Sequence, residues 1–313
     1  MTVQWVTFGI IVDDIVYPDG RTRMGVLGGG GPQTAWGMAA ALGTGDAVGL
    51  VAGIGDDLDD SVLAPLHVAR IDLAGLRHTD LPTPRAWQIL EWDGRVIHLW
   101  RVDPAQTLGE QLARNRDVLP PTYRAARGFH WGVHPAEPGS LAFARDLRAA
   151  GHLVSLEAFR APQFPLADDE LRALLEACDV FSPNLHEAVG ITGQHDYRAM
   201  LARLRDCGGQ TVAVRRGADG ADVWDMPAGQ GVHVPAVLTQ TADEVGAGNA
   251  FCGALLARLD AGLETAAAHA SAAASYLLEQ VGLPETLPDP AEYARRVDSA
   301  RAGQQALTWN TMR

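Results

Sequence analysis

Three segments within residues 128–159 decide the fold class of this chain: "GFHWGVH" (128–134), "LAFARDLRAAG" (141–151) and "LVSLEAF" (153–159). The first and third are short apolar runs with the length of a strand, whereas the second repeats its apolar residues with the period of a helix. A strand, a helix and a second strand predict a parallel pair of strands, because a parallel pair needs a long crossover connection.

The same alternation continues after residue 159. The further segments are "DDELRALLEAC" (168–178), "DVFSPN" (179–184), "DYRAMLARLRDCGG" (196–209) and "QTVAVRRG" (210–217). Alternating strands and helices predict a parallel sheet covered by crossover helices, so the fold class is α/β. The Ala-rich segment "LETAAAHASAAASYLLEQVG" (263–282) predicts a helix that packs closely against a neighbour.

The first hundred residues indicate two β-hairpins. Asp19-Gly20 and Asp93-Gly94 are good hairpin turns, and each lies between apolar runs. If the two hairpins pair with each other, they form a small sheet that stands off the main body. The alternative is that both hairpins supply edge strands.

Composition limits the functions that the chain can have. It has 313 residues, 47% of them hydrophobic, and its net charge of -13 argues against nucleic-acid and membrane-surface partners. All 25 basic residues are arginine, which excludes a lysine Schiff base and a P-loop lysine. A cation that acts on a phosphate must therefore be an arginine, a metal ion or a helix terminus.

Cysteine content and hydropathy predict the cellular compartment. Three widely spaced cysteines suit a reducing environment better than a disulfide framework. The chain has no cationic leader and no apolar run of about 18 residues, the length of a membrane span. We therefore expect a cytoplasmic protein.

Two glycine turns precede predicted helices. Residues 28–31 in "LGGGGPQTAWGMAAALG" (27–43) allow either close approach of a ligand or a tight turn. Residues 246–248 in "TADEVGAGNAF" (241–251) open a helix whose N–H groups would bind an anion such as a phosphate. Neither turn has the spacing of a P-loop or of a G-x-G-x-x-G dinucleotide motif.

Two further groups of polar residues allow alternative interpretations. Asn184 and Glu187 are spaced to hold magnesium through water, or to form an N-cap with a capping-box glutamate. Six histidines show no metal-ligand spacing, and we expect hydrogen-bonded or surface roles for most of them: His130, His134, His186, His195, His233 and His269.

Five motifs together resemble the PfkB carbohydrate kinases, the ribokinase family, over essentially the whole chain. They occur in the order of that family: "GGGPQTAWGMAAALG" (29–43), "GIGDDLDD" (53–60), "NLHEA" (184–188), "VRRGADGA" (214–221) and "DEVGAGNAF" (243–251). The resemblance implies one ribokinase-like domain over residues 1–313. It also implies a Rossmann-like sheet flanked by helices and a small β lid, from about residues 10–28 and 84–102, through which two subunits would pair.

The resemblance also implies a role for individual residues. ATP would be the phosphate donor, with Mg²⁺ held by Glu187 and, through water, Asn184. The implied acceptor-binding residues are Asp13, Asp14, Gly29, Gly30, Gly31 and Thr34. The implied nucleotide-binding residues are Asn184, Glu187, Arg216, Gly217, Gly220 and His269. The implied transfer centre is Gly246, Ala247, Gly248 and Asn249.

Three positions depart from the family pattern. Thr34 stands where an asparagine is usual, and Glu157 stands near the place of an aspartate. Asn249 replaces the catalytic aspartate, and an amide cannot remove a proton from a hydroxyl group.

The substitution at residue 249 leaves three explanations. Another carboxylate takes the proton, with Asp243 and Glu244 the nearest in sequence; or the acceptor is already ionised; or the protein binds its ligands without useful turnover. The sequence thus predicts an ATP- and Mg²⁺-dependent phosphotransferase that acts on a hydroxyl of a sugar or nucleoside. Its alternative is a non-catalytic or regulatory protein that binds sugar and nucleotide.

Overall fold

The computed structural model describes residues 2–92, 96–137 and 141–310, so the turn predicted at Asp93-Gly94 lies outside the described residues. The strands are β1 (Trp5–Phe8), β2 (Ile11–Val16), β3 (Thr22–Gly28), β4 (Val48–Ile54), β5 (Asp72–His78), β6 (Arg85–Leu90), β7 (Val96–Trp100), β8 (Gly128–Val133), β9 (Leu153–Ala158), β10 (Val180–Phe181), β11 (Thr211–Arg215), β12 (Ala221–Asp225), β13 (Gln230–Val234) and β14 (Gln305–Thr308). The helices are α1 (Gly30–Leu42), α2 (Ala64–Val68), α3 (Pro104–Gln111), α4 (Ala142–Ala149), α5 (Asp168–Leu175), α6 (Leu185–Thr192), α7 (Tyr197–Asp206), α8 (Ala247–Arg258), α9 (Leu263–Leu278) and α10 (Pro290–Ala302).

The main sheet has ten strands in the order β14-β13-β12-β11-β10-β9-β8-β1-β4-β5. The seven strands from β11 to β5 run parallel, and β12 to β14 form an antiparallel extension. The predicted unit of β8, α4 and β9 is present, since β8 and β9 pair in parallel on either side of the helix. The α/β prediction is confirmed.

A separate four-stranded sheet has the order β3-β2-β6-β7. Its two hairpins, β2 with β3 and β6 with β7, are joined by parallel pairing of β2 with β6. The hairpins therefore pair with each other, and the alternative of two edge strands is wrong. No helix in the described ranges is long and apolar enough to cross a membrane.

Helices cover both faces of the main sheet. Along β4, Leu50 and Ala52 belong to one buried cluster, whereas Val51 belongs to a second. Alternate residues of a strand point to opposite faces, so the two clusters lie on opposite sides of the sheet. The first cluster includes residues of α1, α8 and α9, and the second includes residues of α4, α5 and α7. The predicted Ala-rich helix is α9, and most of its alanines are buried.

Two glycines bring α1 and α8 into backbone contact. A Cβ atom at Gly37 would lie 2.3 Å from the carbonyl oxygen of Ala250, and one at Gly253 would lie 2.2 Å from that of Thr34. Any side chain at either position would therefore meet backbone that cannot move aside. This close crossing places the start of α8 beside the start of α1. Each of these helix starts lies at one of the two glycine turns of the sequence.

Candidate active site

The two glycine turns meet at Gly30. A Cβ atom at Gly30 would lie 3.7 Å from Oδ1 of Asn249 and 3.7 Å from Oε1 of Glu157. Asn249 belongs to the first turn of α8, and Glu157 lies near the carboxyl end of β9. The carboxyl ends of parallel strands are where ligands bind in open α/β sheets. The structure thus gathers three elements around one point at the ligand-binding edge of the sheet.

Gln33 fixes the orientation of the Asn249 amide. Nδ2 of Asn249 donates a hydrogen bond of 2.5 Å to Oε1 of Gln33, which leaves Oδ1 directed at Gly30. Gln33 also lies against Gly246, where a Cβ atom would come within 2.5 Å of the Gln33 Cδ atom. Gly246 itself has a φ of +89°, a conformation that favours glycine.

Thr34 lies in the contact between the helices. It is fully buried, its carbonyl faces Gly253 of α8, and its hydroxyl has no hydrogen-bond partner among the described residues. The residue of α1 that contacts Asn249 is its neighbour, Gln33. Sequence reasoning missed Gln33 because its contact with Asn249 joins residues that are 216 positions apart and depends on the packing of α1 against α8.

Arg215 connects the carboxylates of the site. Its Nη2 lies 3.2 Å from Oε2 of Glu157 and 3.6 Å from Oε2 of Glu187, and it donates a hydrogen bond of 2.9 Å to the carbonyl of Ser182. All three charged side chains are at most 15% exposed. A buried ion-pair network of this kind is costly to form and still more costly to break.

Burial and charge affect the two carboxylates differently. Burial tends to raise the pKa of Glu157, but the neighbouring His130 ring and the charge of Arg215 outweigh it and leave this pKa below its usual value. Burial raises the pKa of Glu187, and Arg215 only partly offsets that rise. Glu157 is therefore the more firmly ionised of the two.

His130 and Cys252 complete a buried cluster with Glu157. Nε2 of His130 lies 3.5 Å from Oε1 of Glu157, Nδ1 of His130 lies 2.9 Å from the Ser155 hydroxyl, and the Cys252 thiol lies 3.6 Å from Oε2 of Glu157. The ligand atoms of His130, Glu157 and Cys252 are within 4.8 Å of one another. The guanidinium of Arg215 beside them opposes a cation, and burial raises the pKa of Cys252 to about 12, which keeps the thiol protonated.

Arg215 also faces the start of α8. A Cβ atom at Gly248 would lie 1.9 Å from Nη1 of Arg215, so a larger residue there would require the guanidinium to move. The N–H groups at a helix start attract anions, and an adjacent guanidinium adds a full positive charge. In a chain without lysine, Arg215 supplies a cation at the predicted anion site. The sequence contained this signal in the Arg215-Arg216 pair, but only Arg216 was assigned a role.

Asp13 and Asp14 lie in different surroundings. Oxygens of Asp14 accept hydrogen bonds from Arg85, Arg101 and the backbone of Gly25, and although burial opposes them, these interactions lower its pKa to about 2. Asp14 is thus neutralised within the four-stranded sheet.

Asp13 has no such counter-ion among the groups that shift its pKa. Burial raises the pKa of Asp13 to about 7, while hydrogen bonds from Gln88 and the backbone of Gly29 lower it only in part. The negative charge of Asp243 adds to the increase. Of the two predicted acceptor ligands, Asp13 is the one that hydrogen-bonds the glycine turn.

Asn184 and Glu187 form a reciprocal capping box at the start of α6. Oδ1 of Asn184 accepts from the Glu187 backbone at 2.8 Å, and Oε2 of Glu187 accepts from the Asn184 backbone at 2.7 Å. The capping interpretation is therefore correct. Magnesium held through water by these two residues stays a prediction.

The remaining predicted nucleotide-binding residues lie in two places, the turn between β11 and β12 and helix α9. Arg216 donates a hydrogen bond of 3.1 Å to the buried Asp222, and Gly217 and Gly220 follow it with φ of +60° and +85°. His269 lies on α9 beside Tyr293 of α10, and burial together with nearby arginines lowers its pKa to about 4. The contacts of His269 do not connect it with those of Arg216.

Family comparison agrees with this arrangement. The model of the pfkB family carbohydrate kinases matches residues 5–290. The chain belongs to the pfkB family of carbohydrate kinases. A curated relative is the cytidine kinase of Thermococcus kodakarensis, which is 28% identical over 248 residues, covering 79% of this chain and 85% of that protein.

Solved structures of a ribokinase and a riboside kinase share the fold. Arabidopsis thaliana ribokinase, complexed with ribose and ATP, matches with a TM-score of 0.72 and 20% identity over 95% of this chain and 99% of that one. Aminoimidazole riboside kinase of Salmonella enterica, complexed with its riboside and an ATP analogue, matches with a TM-score of 0.72 and 21% identity over 94% and 99%. The ribokinase-like α/β fold with its separate small sheet is thus confirmed.

Proposed function

We propose that this pfkB protein transfers a phosphoryl group from ATP, with Mg²⁺, to a hydroxyl of a nucleoside or sugar. One observation carries the proposal. The glycine turn of α1, the amide of Asn249 and the carboxylate of Glu157 face one point beside the N-terminus of α8. An acceptor hydroxyl and a phosphoryl group could meet there, between an acceptor-side turn and an anion site.

The start of α8 provides the charge stabilisation that phosphoryl transfer needs. The backbone N–H groups of Gly246, Ala247 and Gly248 would bind the transferring group, and Arg215 would add its positive charge. In-line transfer depends mainly on positioning and on stabilising charge on the phosphoryl oxygens. In a chain without lysine, an arginine and a helix terminus would serve this purpose beside Mg²⁺.

The acceptor would lie over the glycine turn. Asp13 would bind one hydroxyl, the backbone of Gly29, Gly30 and Gly31 would allow close approach, and Oδ1 of Asn249 would accept from another hydroxyl. A nucleoside is the first candidate because the curated relative is a cytidine kinase. The small sheet would then cover the acceptor as a lid within one domain.

The nucleotide would approach from the other side of α8. Asn184 and Glu187 would hold Mg²⁺ through water, and the turn of Arg216, Gly217 and Gly220, with His269 further along, would contact the nucleoside of ATP. When bound, Mg²⁺ neutralises phosphate charge. The family resemblance supports this placement of the nucleotide. So does the open space at the Gly217 turn, where an added Cβ atom would meet nothing within 4 Å.

Asn249 supports a second candidate function. Without a carboxylate at this position, the protein could bind sugar and nucleotide as a regulatory protein that has no turnover. A general base contributes about 10²- to 10⁴-fold in rate, so a kinase without one is slow rather than inactive. Turnover by the natural protein therefore separates the two candidates.

The test is transfer of labelled phosphate from ATP to cytidine, other nucleosides, pentoses, hexoses and sugar acids, with and without EDTA. We expect Mg²⁺-dependent product with at least one nucleoside or sugar. Binding of ATP and acceptor without product would favour the regulatory candidate. If ATP fails to bind in a thermal-shift assay, the nucleotide site itself is wrong.

A further inference from the structure

We infer that Glu157 accepts the proton of the acceptor hydroxyl in place of the aspartate that Asn249 replaces. This inference rests on the proposed kinase function. Oε1 of Glu157 and Oδ1 of Asn249 lie at the same distance, 3.7 Å, from a Cβ position at Gly30. A hydroxyl placed over the glycine turn can therefore reach both oxygens, and of the two only the carboxylate can hold a proton.

The two oxygens of Glu157 have different partners. Oε2 is held by Arg215 at 3.2 Å and by the Cys252 thiol at 3.6 Å. Oε1 faces Gly30, with Nε2 of His130 beside it at 3.5 Å, a distance at which no hydrogen bond forms. One oxygen thus anchors the side chain, and the other is available to a ligand.

The surroundings of Glu157 keep it ionised, which is the form that can accept a proton. The carboxylate is 4% exposed, yet His130 and Arg215 hold its pKa below the usual glutamate value. In the lowered dielectric of a closed site, a fixed carboxylate interacts strongly with a hydroxyl that is losing its proton. His130, hydrogen-bonded to Ser155, is a positioning residue that faces the same oxygen.

The other carboxylates near the transfer centre are less suitable. Asp243, the candidate suggested by proximity in sequence, accepts hydrogen bonds from the backbone of Val245 and Glu244 and influences the pKa of Asp13. Glu187 caps α6 with one oxygen and faces Arg215. Glu157 alone among these carboxylates is placed beside Oδ1 of Asn249 by the distances at Gly30.

The step balances with the ATP that the proposed function already includes. The acceptor oxygen forms a bond to the γ-phosphorus as the bond from that phosphorus to the bridging β,γ-oxygen breaks, and ADP leaves with the bonding electron pair. The hydroxyl proton moves to Oε1 of Glu157 and is released to water with the product. Asn249 orients a neighbouring hydroxyl and takes no proton.

The test is a cycle of four proteins: wild type, Glu157→Gln, Asn249→Asp, and the double variant. We expect Glu157→Gln to lower kcat about 10²- to 10⁴-fold, the contribution of a general base, while the Kd for ATP stays within about threefold of wild type. Asn249→Asp restores a carboxylate beside the same point. In that background Glu157→Gln should cost less than about tenfold in kcat, because the new aspartate takes the proton.

Three results separate the possible failures. If wild type turns over and Glu157→Gln leaves kcat unchanged, the inference about Glu157 is overturned and the kinase function stands. An equal loss on Glu157→Gln in both backgrounds would assign Glu157 a structural role, which also overturns the inference. If wild type binds ATP but transfers nothing, the proposed function fails, and the role of Glu157 fails with it.

Folding of the variants is checked separately. Glutamine keeps the shape of Glu157 but removes a charge that Arg215 compensates, so thermal unfolding is measured for all four proteins. Glu187→Gln is the matched comparison, since it removes the other carboxylate that faces Arg215. We expect Glu187→Gln to weaken ATP and Mg²⁺ binding, and Asn249→Asp not to rescue that loss.

Discussion

At the scale of single residues, Arg215 links the stability of the fold to the candidate active site. Its guanidinium compensates Glu157 and Glu187 and lies against Gly248 at the start of α8. The same side chain therefore contributes to folding, by neutralising buried charge, and to the proposed function, by adding positive charge to the anion site.

Replacing Arg215 tests its contribution to folding. We expect Arg215→Met to lower the free energy of unfolding by about 3–5 kcal/mol, because two carboxylates would remain buried without their counter-ion. The loss should be smaller at about pH 5 than at neutral pH, since a protonated carboxyl needs no counter-ion. Urea unfolding measures both values. The control is Arg124→Met at an exposed arginine, and a loss in Arg215→Met no larger than the control would contradict the network.

Asp13 should make stability depend on pH. Its pKa rises from 3.8 to about 7 on folding, so between these values the unfolded chain gives up a proton that the folded chain keeps. The free energy of unfolding should therefore fall as pH rises through this interval and level off above it. Asp13→Asn should remove this part of the pH dependence in urea titrations. An unchanged slope would show that Asp13 ionises normally.

Local sequence predicted the residues of the motifs but not their partners. Asn249 and the turn at residues 246–248 were recognisable because they adjoin a helix start. Gln33 lies 216 residues from Asn249, and Glu157 on β9 pairs with Arg215 on β11, with β10 between them. Contacts of this kind depend on tertiary packing, which periodicity and spacing do not contain.

At the scale of elements, the crossing of α1 and α8 determines the geometry of the site. The glycine turns that precede them indicated both helices, and the order of strands and helices predicted the sheet, because those signals are local. The close approach of the helices was not predicted. It follows from Gly37 and Gly253, whose lack of a side chain matters only once the two helices are packed together.

A side chain at Gly37 tests the crossing. We expect Gly37→Ala to cost about 1–3 kcal/mol in the free energy of unfolding, since the new methyl group would lie 2.3 Å from the Ala250 carbonyl. Any separation of the helices also moves Asn249 from Gln33, so kcat should fall with stability. The matched control is Gly109→Ala in α3, where nothing lies within 4 Å and the change should be neutral or stabilising. Equal effects at both glycines would contradict a tight crossing.

At the scale of the whole molecule, the four-stranded sheet exposes large apolar side chains. Ile97 and Leu99 on the edge strand β7 are 39% and 50% exposed, Trp100 is 39% exposed, and Met24 on β3 is 48% exposed. An apolar edge strand is prone to pair with another chain, and exposed apolar patches often mark interfaces. The prediction that two subunits pair through this sheet thus gains a physical reason beyond the family resemblance.

Leu99 provides the test of that pairing. We expect wild type to sediment as a dimer of the 33.3 kDa chain, and Leu99→Asp to weaken the dimer at least about tenfold, since burying a leucine contributes about 1.5–3 kcal/mol. Leu238→Asp is the control, because Leu238 is 95% exposed and lies outside the small sheet. If wild type is a monomer, or if both variants dissociate alike, this sheet is not the interface. If the dimer holds the small sheet over the acceptor, Leu99→Asp should also raise the KM for the acceptor more than the KM for ATP.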